Sequence, residues 1–201
     1  MASRNFKVGF PFLRPRRPYL AVTHGLAGSG KTHYADWLVE QLPLIRLRSD
    51  VERKRLLGLS AVARTGSGID QGAYRAKVTA ATYRQLAHLA RRLLTAGWPV
   101  LVDASFLAAG ERRRFARLAE SVGVPFRILA CSAPPCVLRG RVERRTAQVG
   151  DASEADLAVL DAQRARYRPL GADEQALAIA IDTGRPYAVP AELSAPSCQG
   201  S

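Results

Sequence analysis

Short apolar runs alternate with longer amphipathic stretches along the chain. The run YLAVTHG, 19–25, is continuous rather than alternating and ends in glycine, which predicts a strand buried on both faces. LIRLRSD, 44–50, predicts a second strand ending near Asp50. WPVLVDASF, 98–106, predicts a third ending at Asp103. PFRILACSA, 125–133, predicts a fourth, with Cys131 near its buried end. ALAIAIDTG, 176–184, predicts a fifth ending at Asp182.

Helical patterns fill the intervals. One helix is expected from Lys31 to Leu42, stopped by Pro43, and a short one over 51–58, closed by Gly58. A long helix is expected over 73–97, where Val78, Ala81, Leu86, Leu89 and Leu93 recur near helical spacing. Three more are expected over 109–123, 136–150 and 153–167, the last with Ser153 as N-cap. The Gly-rich segment 60–72 reads as a mobile loop. Five apolar strands separated by helices predict an α/β fold, one parallel sheet with helices on both faces. In such a sheet the ligand sits at the carboxyl ends of the strands, so Asp50, Asp103 and Asp182 are expected to converge on one crevice.

The first strand runs into Gly25-Leu26-Ala27-Gly28-Ser29-Gly30-Lys31-Thr32, the spacing of a phosphate-binding P-loop between a strand and a helix. Its glycines let successive backbone N–H groups curl round phosphates, and the helix N-terminus adds a favourable dipole. Lys31 is expected against the β- and γ-phosphates of ATP, and Thr32 to hold Mg²⁺ through its hydroxyl. Two readings stand for Asp50: it orients and deprotonates an acceptor hydroxyl, or it caps the short helix, alone or with Ser49. Asp103, closing the run VLVD, is read as a carboxylate for Mg²⁺, as a cap for the next turn, or as a contact for the acceptor. Arg139, Arg141, Arg144 and Arg145 lie within one predicted helix, and Arg141 and Arg145 share a face. They form either a lid that swings cations over the triphosphate or a solvated basic face. Arg112, Arg113 and Arg114 read as a solvated face, or as a contact for an anionic acceptor. Asp182 is placed at the crevice edge, beside the adenine.

Composition narrows the classes. With 201 residues, 47% hydrophobic and 23% charged, the chain has the balance of one soluble globular domain. We divide it into a disordered basic arm, 1–17, a folded domain, 18–187, and a disordered tail, 188–201. No apolar run reaches bilayer length, and Pro and Arg interrupt the N-terminus before a signal-peptide core forms, so a cytoplasmic protein with no membrane partner is expected. Cys131, Cys136 and Cys198 show no metal-ligand spacing and fit reduced thiols. The net charge of +13, nearly all from Arg, favours polyanionic partners, nucleic acid or phosphorylated small molecules, unless the Arg residues merely coat solvated faces.

The segments GLAGSGKT, RLRSDVERKRLLGL, VLVDASFLAAGERRRFARLA, LRGRVERR and DASEADLAVLDAQ together resemble small P-loop kinases of the AAA-domain predicted-kinase group. These are akin to polynucleotide 5′-hydroxyl kinases, gluconate kinases and zeta-toxin-like sugar kinases. The chain looks close to the kinase-like module often fused behind an aminoglycoside-phosphotransferase-like domain. The resemblance covers most of 19–184. It implies a three-layer α/β/α P-loop fold of nucleoside-kinase type, strand order 2-3-1-4-5, with a helical lid. It also implies that Asp50 of the Asp-x-x-Arg motif is the general base, with Arg53 beside it. Asp103 would be the strand-three carboxylate, and Arg141, Arg144 or Arg145 the lid arginine. The implied activity is transfer of the γ-phosphate of ATP to a hydroxyl of a small molecule or a polynucleotide. The rival is an ATP-binding or ATP-hydrolysing regulatory module. His33, after the P-loop Thr32, departs from the small residue many relatives carry and is expected to crowd the helix start.

Overall fold

The computed structural model describes residues 17–60, 73–147 and 157–194. The expectations for the basic arm, the loop 61–72, Ser153 and residues 195–201 lie outside the described residues, as does the side chain of Arg145. Five strands, β1 (Leu20–His24), β2 (Ile45–Arg48), β3 (Val100–Asp103), β4 (Phe126–Ser132) and β5 (Ala178–Asp182), form one sheet in the order β2-β3-β1-β4-β5. Every pairing is parallel, with Val22 opposite both Val102 and Ile128. This is the three-layer P-loop architecture and the strand order the resemblance implies.

The strands read as continuous apolar runs because helices cover both faces. Alternate residues of β1 go to opposite sides. Leu20 and Val22 pack with Val100, Val102 and Ile128 under the long α3 (Ala73–Thr95) and α4 (Ala109–Val122), against Leu86, Ala90, Leu94, Phe115 and Leu118. Ala21, with Leu101, Leu129, Cys131 and Ile181, faces α1 (Lys31–Gln41) through Tyr34, Ala35 and Leu38. A third apolar cluster lies over the carboxyl end of the sheet. There, α5 (Pro135–Ala147) and α6 (Leu157–Arg166) bury Ala27 under Leu138, Val142 and Leu160.

Several expectations need correction. β2 stops at Arg48, and α2 (Ser49–Leu56) starts at once, so Asp50 sits in the first helical turn rather than at a strand end. Neither Ser49 nor Asp50 caps that helix, because its N-cap position is Arg48, with no side-chain cap bond. The tail does not begin at 188. A 3₁₀ turn over Ala191–Leu193 buries Leu193 beside Tyr187 and Val189 on the α1 face, so the folded body extends past 187.

The largest correction concerns Arg112, expected in solvent and found 2% exposed. Its Nε and Nη2 donate to the two carboxylate oxygens of Glu174 at 2.7 Å each. Its Nη1 donates to the carbonyls of Phe106 and Leu107 at 2.8 and 2.9 Å. Glu174 belongs to a short helix, α7 (Ala172–Gln175), that the periodicity did not indicate. Arg112 thus ties the turn after β3 to the segment before β5. That turn is strained. Phe106 has φ 46° in a region costly for an aromatic residue, and it stays there wedged edge-on against Tyr83 and Phe115. Arg113 and Arg114 are exposed, as expected.

Candidate active site

Two glycines of the P-loop are required by what lies against them. At Gly25 (φ 150°) a Cβ would fall 2.5 Å from the carbonyl oxygen of Cys131 and 2.5 Å from Ser29 Oγ. At Gly28 (φ 78°) it would fall 2.4 Å from the carbonyl oxygen of Leu138, because α5 rests directly on the loop. Gly30 then opens α1, whose first N–H groups have no partners within the helix and face the loop. Lys31 curls back over this ring, its Nζ donating to Leu26 O at 2.7 Å. Backbone amides, a helix N-terminus and an ammonium surround one small space, the physical requirement for holding a polyphosphate.

A hydroxyl and a carboxylate stand at the start of α1. Thr32 Oγ1 donates to Asp103 Oδ2 at 3.2 Å. Asp103 ends β3 next to β1, so the sheet itself brings together residues 71 positions apart. The Thr23 hydroxyl lies 2.7 Å from Ala104 O and 3.3 Å from Asp103 Oδ1, and its single proton goes to the nearer oxygen. Two hard oxygen donors side by side suit Mg²⁺, which takes one or two protein oxygens and fills its remaining positions with water and phosphate. Among the described residues no cluster of three or more His, Cys, Asp or Glu offers a metal site of another kind. Cys131 is a buried thiol whose pKa burial pushes up to about 12, so it is inert.

Arg48, Asp50 and Arg53 lie along the same edge. In the register of β2 and β3, Arg48 stands opposite Asp103, and Asp50 follows two residues later in α2. Arg48 Nη2 is 4.0 Å from Asp50 Oδ2, and both side chains are about a third exposed, at 29% and 34%. Arg53, one turn on, is half-buried, and among the described residues the Nε atoms of Arg48 and Arg53 are buried without a hydrogen-bond partner. Asp50 and Arg53 therefore sit on one helix, directly after the carboxyl end of β2.

The lid arginines do not behave alike. Arg141 donates through Nη1 to Thr183 Oγ1 and through Nη2 to Thr183 O, both at 2.8 Å. Its Nη1 would lie 3.1 Å from a Cβ at Gly30, so this guanidinium is beside the loop. Thr183 Oγ1 also lies 3.0 Å from Ser29 O and 3.1 Å from Ser132 O, joining β5, β4, loop and lid at one hydroxyl. Arg144 is exposed and donates only within its own helix among its observed bonds, to Gly140 O at 3.2 Å. Asp182 is exposed at the end of β5, accepting from Gly184 N at 2.9 Å and pairing with Arg185 at 3.1 Å. His33 is also exposed and rests edge-on against Tyr187 without disturbing the start of α1.

Four contacts are not legible as site features in the sequence. Arg46, in β2, ion-pairs with both Asp103 and Asp36. A charge inside a strand that the α/β pattern buries needs a partner, and that was the available signal. Gln163 of α6 accepts the backbone N–H of Ala27 at 2.8 Å, across 136 residues, and nothing local announces it. His24, just before Gly25, donates from Nδ1 to Phe106 O at 3.1 Å, and its ring stacks on Tyr167 with centroids 5.9 Å apart. The carbonyl fixes the proton on Nδ1, and burial holds the pKa below the ordinary 6.5, so this imidazole is neutral. Thr183 carries the junction described above.

A family model described as AAA domain matches residues 20–170. Uncharacterized proteins of Mycobacterium tuberculosis and Mycobacterium bovis are 28% identical over 169 residues, which is 83% of this chain and 33% of theirs. The chain thus spans about a third of the length of the curated relatives it matches. Among solved structures, a sugar kinase from Janibacter sp. superposes with a TM-score of 0.61 at 24% identity, covering 84% of this chain and 87% of that one. Kti12 of Chaetomium thermophilum, in complex with ADP-AlF3, gives 0.57 at 17%, covering 82% and 89%. The APS kinase of M. tuberculosis, in complex with AMPPNP and APS, gives 0.54 at 22%, covering 86% and 92%. These likenesses carry the fold. No helix among the described residues is long and apolar enough to cross a membrane.

Proposed function

The chain belongs to the AAA domain family matched over residues 20–170, and on that premise we propose that it is a kinase. It transfers the γ-phosphoryl group of ATP to a hydroxyl of a small-molecule or polynucleotide acceptor, in the cytoplasm. The observation that carries this reading is the seating of α5 and α6 on the P-loop. They bury Ala27 under Leu138, Val142 and Leu160 and set Arg141 beside Gly30. A lid that covers the loop and brings a cation to it excludes water, which favours transfer over hydrolysis. The nucleotide-bound APS kinase and Kti12 structures share the fold and support a nucleotide ligand here.

The loop amides of Leu26 to Thr32 bind the phosphates of the donor. Lys31 exchanges its bond to Leu26 O for the β- and γ-oxygens, and Arg141 offsets charge on the moving group. Arg144 and Asp182 are assigned to the nucleotide as well, with Asp182 towards the adenine. Thr32 and Asp103 would hold Mg²⁺, which when bound neutralises charge shared between β- and γ-phosphate oxygens. Asp50 orients the acceptor and takes its proton as the acceptor oxygen bonds to the γ-phosphorus. The bond to the bridging oxygen breaks and ADP leaves. Arg53 holds the acceptor, or an anionic group on it.

The test uses γ-labelled ATP with sugars, other alcohols and 5′-hydroxyl oligonucleotides. Labelled product is expected from one acceptor class. Asp50→Asn is expected to lower transfer by at least about a hundredfold while ATP affinity stays within about twofold. Brisk ATP hydrolysis with no transfer to any acceptor defeats this reading and favours an ATP-driven regulatory module. Oligonucleotide binding that weakens steeply with salt selects the polynucleotide acceptor, a reading the +13 charge favours.

A further inference from the structure

We infer that Arg46 is a positioning residue that holds the Asp103 carboxylate and sets how tightly the site takes a divalent cation. This rests on the reading of Thr32 and Asp103 as the metal side of the nucleotide site.

Arg46 leaves β2 with its side chain 9% exposed and bridges two carboxylates of very different exposure. Its Nη1 meets Asp36 on α1, which is 58% exposed. Its Nη2 meets Asp103 on β3, which is 5% exposed, and also lies 3.4 Å from Thr32 O. Asp103 Oδ2 receives both this guanidinium and the Thr32 hydroxyl at 3.2 Å. The other carboxylate oxygen faces the Thr23 hydroxyl at 3.3 Å. While Arg46 and Thr32 hold Oδ2, a cation on Thr32 meets that oxygen across a water rather than directly. Mg²⁺, which sheds its waters reluctantly, tolerates that arrangement well.

The charge balance points the same way. A bare Asp103 carboxylate would attract any divalent cation strongly in this buried setting. Arg46, shared with the exposed Asp36, offsets much of that charge, so the phosphates become the main source of attraction, and metal enters together with the nucleotide. Among the described residues Arg46 Nε is buried without a hydrogen-bond partner, so this guanidinium is only partly satisfied there. A purely structural strut would be expected to satisfy the whole group. Partners outside the first coordination shell commonly change metal affinity by about 10–100-fold, and here the partner is a cation that opposes the metal.

The experiment titrates Mg²⁺ into the intact chain with a fluorescent ATP analogue and reads the Mg²⁺ midpoint of tight nucleotide binding, with thermal unfolding to confirm folding. Arg46→Gln keeps an N–H donor for Asp103 and removes the charge. Its midpoint is expected to fall on the order of tenfold, while metal-free nucleotide binding weakens. Arg46→Lys keeps the charge but not the fork that spans Asp36 and Asp103, and its midpoint is expected to fall clearly less than that of Arg46→Gln. Asp36→Asn, at an exposed position, frees the guanidinium for Asp103 and is expected to raise the midpoint by about twofold. That variant decides the matter even if Arg46→Gln does not fold. An unchanged or raised midpoint in Arg46→Gln, equal shifts in the Gln and Lys variants, or a fall in Asp36→Asn overturns the inference. A parent that binds nucleotide with no response to Mg²⁺ removes its premise and overturns it too. A parent that binds no nucleotide overturns the kinase reading itself.

Discussion

Replacing Arg112 with methionine tests the buried brace between the turn after β3 and α7. Methionine keeps most of the apolar stem and removes the guanidinium. Four hydrogen bonds go with it, two to Glu174 and one each to Phe106 O and Leu107 O. Breaking one partner out of a buried ion pair costs about 3–5 kcal/mol. The Glu174 side chain is 16% exposed and can recover some hydration, so the low end, about 3 kcal/mol, is expected. At about 2–4 °C per kcal/mol for a domain of this size, the melting temperature falls by about 6–12 °C. Acid titration supplies a second reading. The Arg112 hydrogen bonds are the first cause holding the Glu174 pKa below its ordinary 4.5. The unfolded chain therefore takes up that proton first as pH falls. The stabilisation is complete above pH 4.5 and is lost as pH drops through the lower folded-state value. The gap between parent and Arg112→Met, measured by circular dichroism melts from pH 7 to pH 3, should narrow at the acid end. A loss below about 1 kcal/mol at pH 7, or a gap that holds constant into acid, refutes the brace.

Three further outcomes are expected. Gly28→Ala places a Cβ 2.4 Å from Leu138 O in a backbone conformation that alanine resists, so α5 must lift. Nucleotide affinity should drop by at least about tenfold in a fluorescence titration, with a smaller loss of stability. Gln163→Leu removes the acceptor of the Ala27 N–H, and hydrogen exchange should show weaker protection across α5 and α6, with about 1 kcal/mol lost. His24 has a folded pKa lowered chiefly by burial, so the unfolded chain protonates first as pH drops below 6.5. Melting temperature should decline from pH 7.5 towards pH 5.5, and less steeply in His24→Gln.

Much of the fold follows from local patterns. The run through Leu20, Ala21 and Val22 forms a strand covered on both faces, and the P-loop spacing places the phosphate site at its end. Asp103 could be placed from VLVD because a parallel sheet aligns strand ends. Long-range pairing was less legible. Arg112 sits between two other arginines, which disguises it, yet it shares the face of Phe115 and Ala119 at helical spacing and turns inward with them. Its partner Glu174 belongs to a helix of only four residues, too short to leave a periodic trace. The bounds of β2 blurred because Arg46 and Arg48 are charged residues in a strand, stabilised by carboxylates whose placement depends on the whole sheet. Among the arginines of α5, Arg141 is distinguished by its contact with Thr183 and not by its spacing.

The Thr183 junction also bears on where this unit can be cut. The family match stops at 170, yet β5, Thr183 and Leu193 all follow it. A chain ended at 170 would leave β4 as a bare sheet edge from Ile128 to Ser132, a template for pairing with other copies, and such edges promote aggregation. Arg141 would lose its hydroxyl and carbonyl acceptors together. The segment recognised by kinship is thus shorter than the segment that closes its own sheet, and an excised domain that runs through Leu193 keeps β5, the Thr183 junction and the buried Leu193 together.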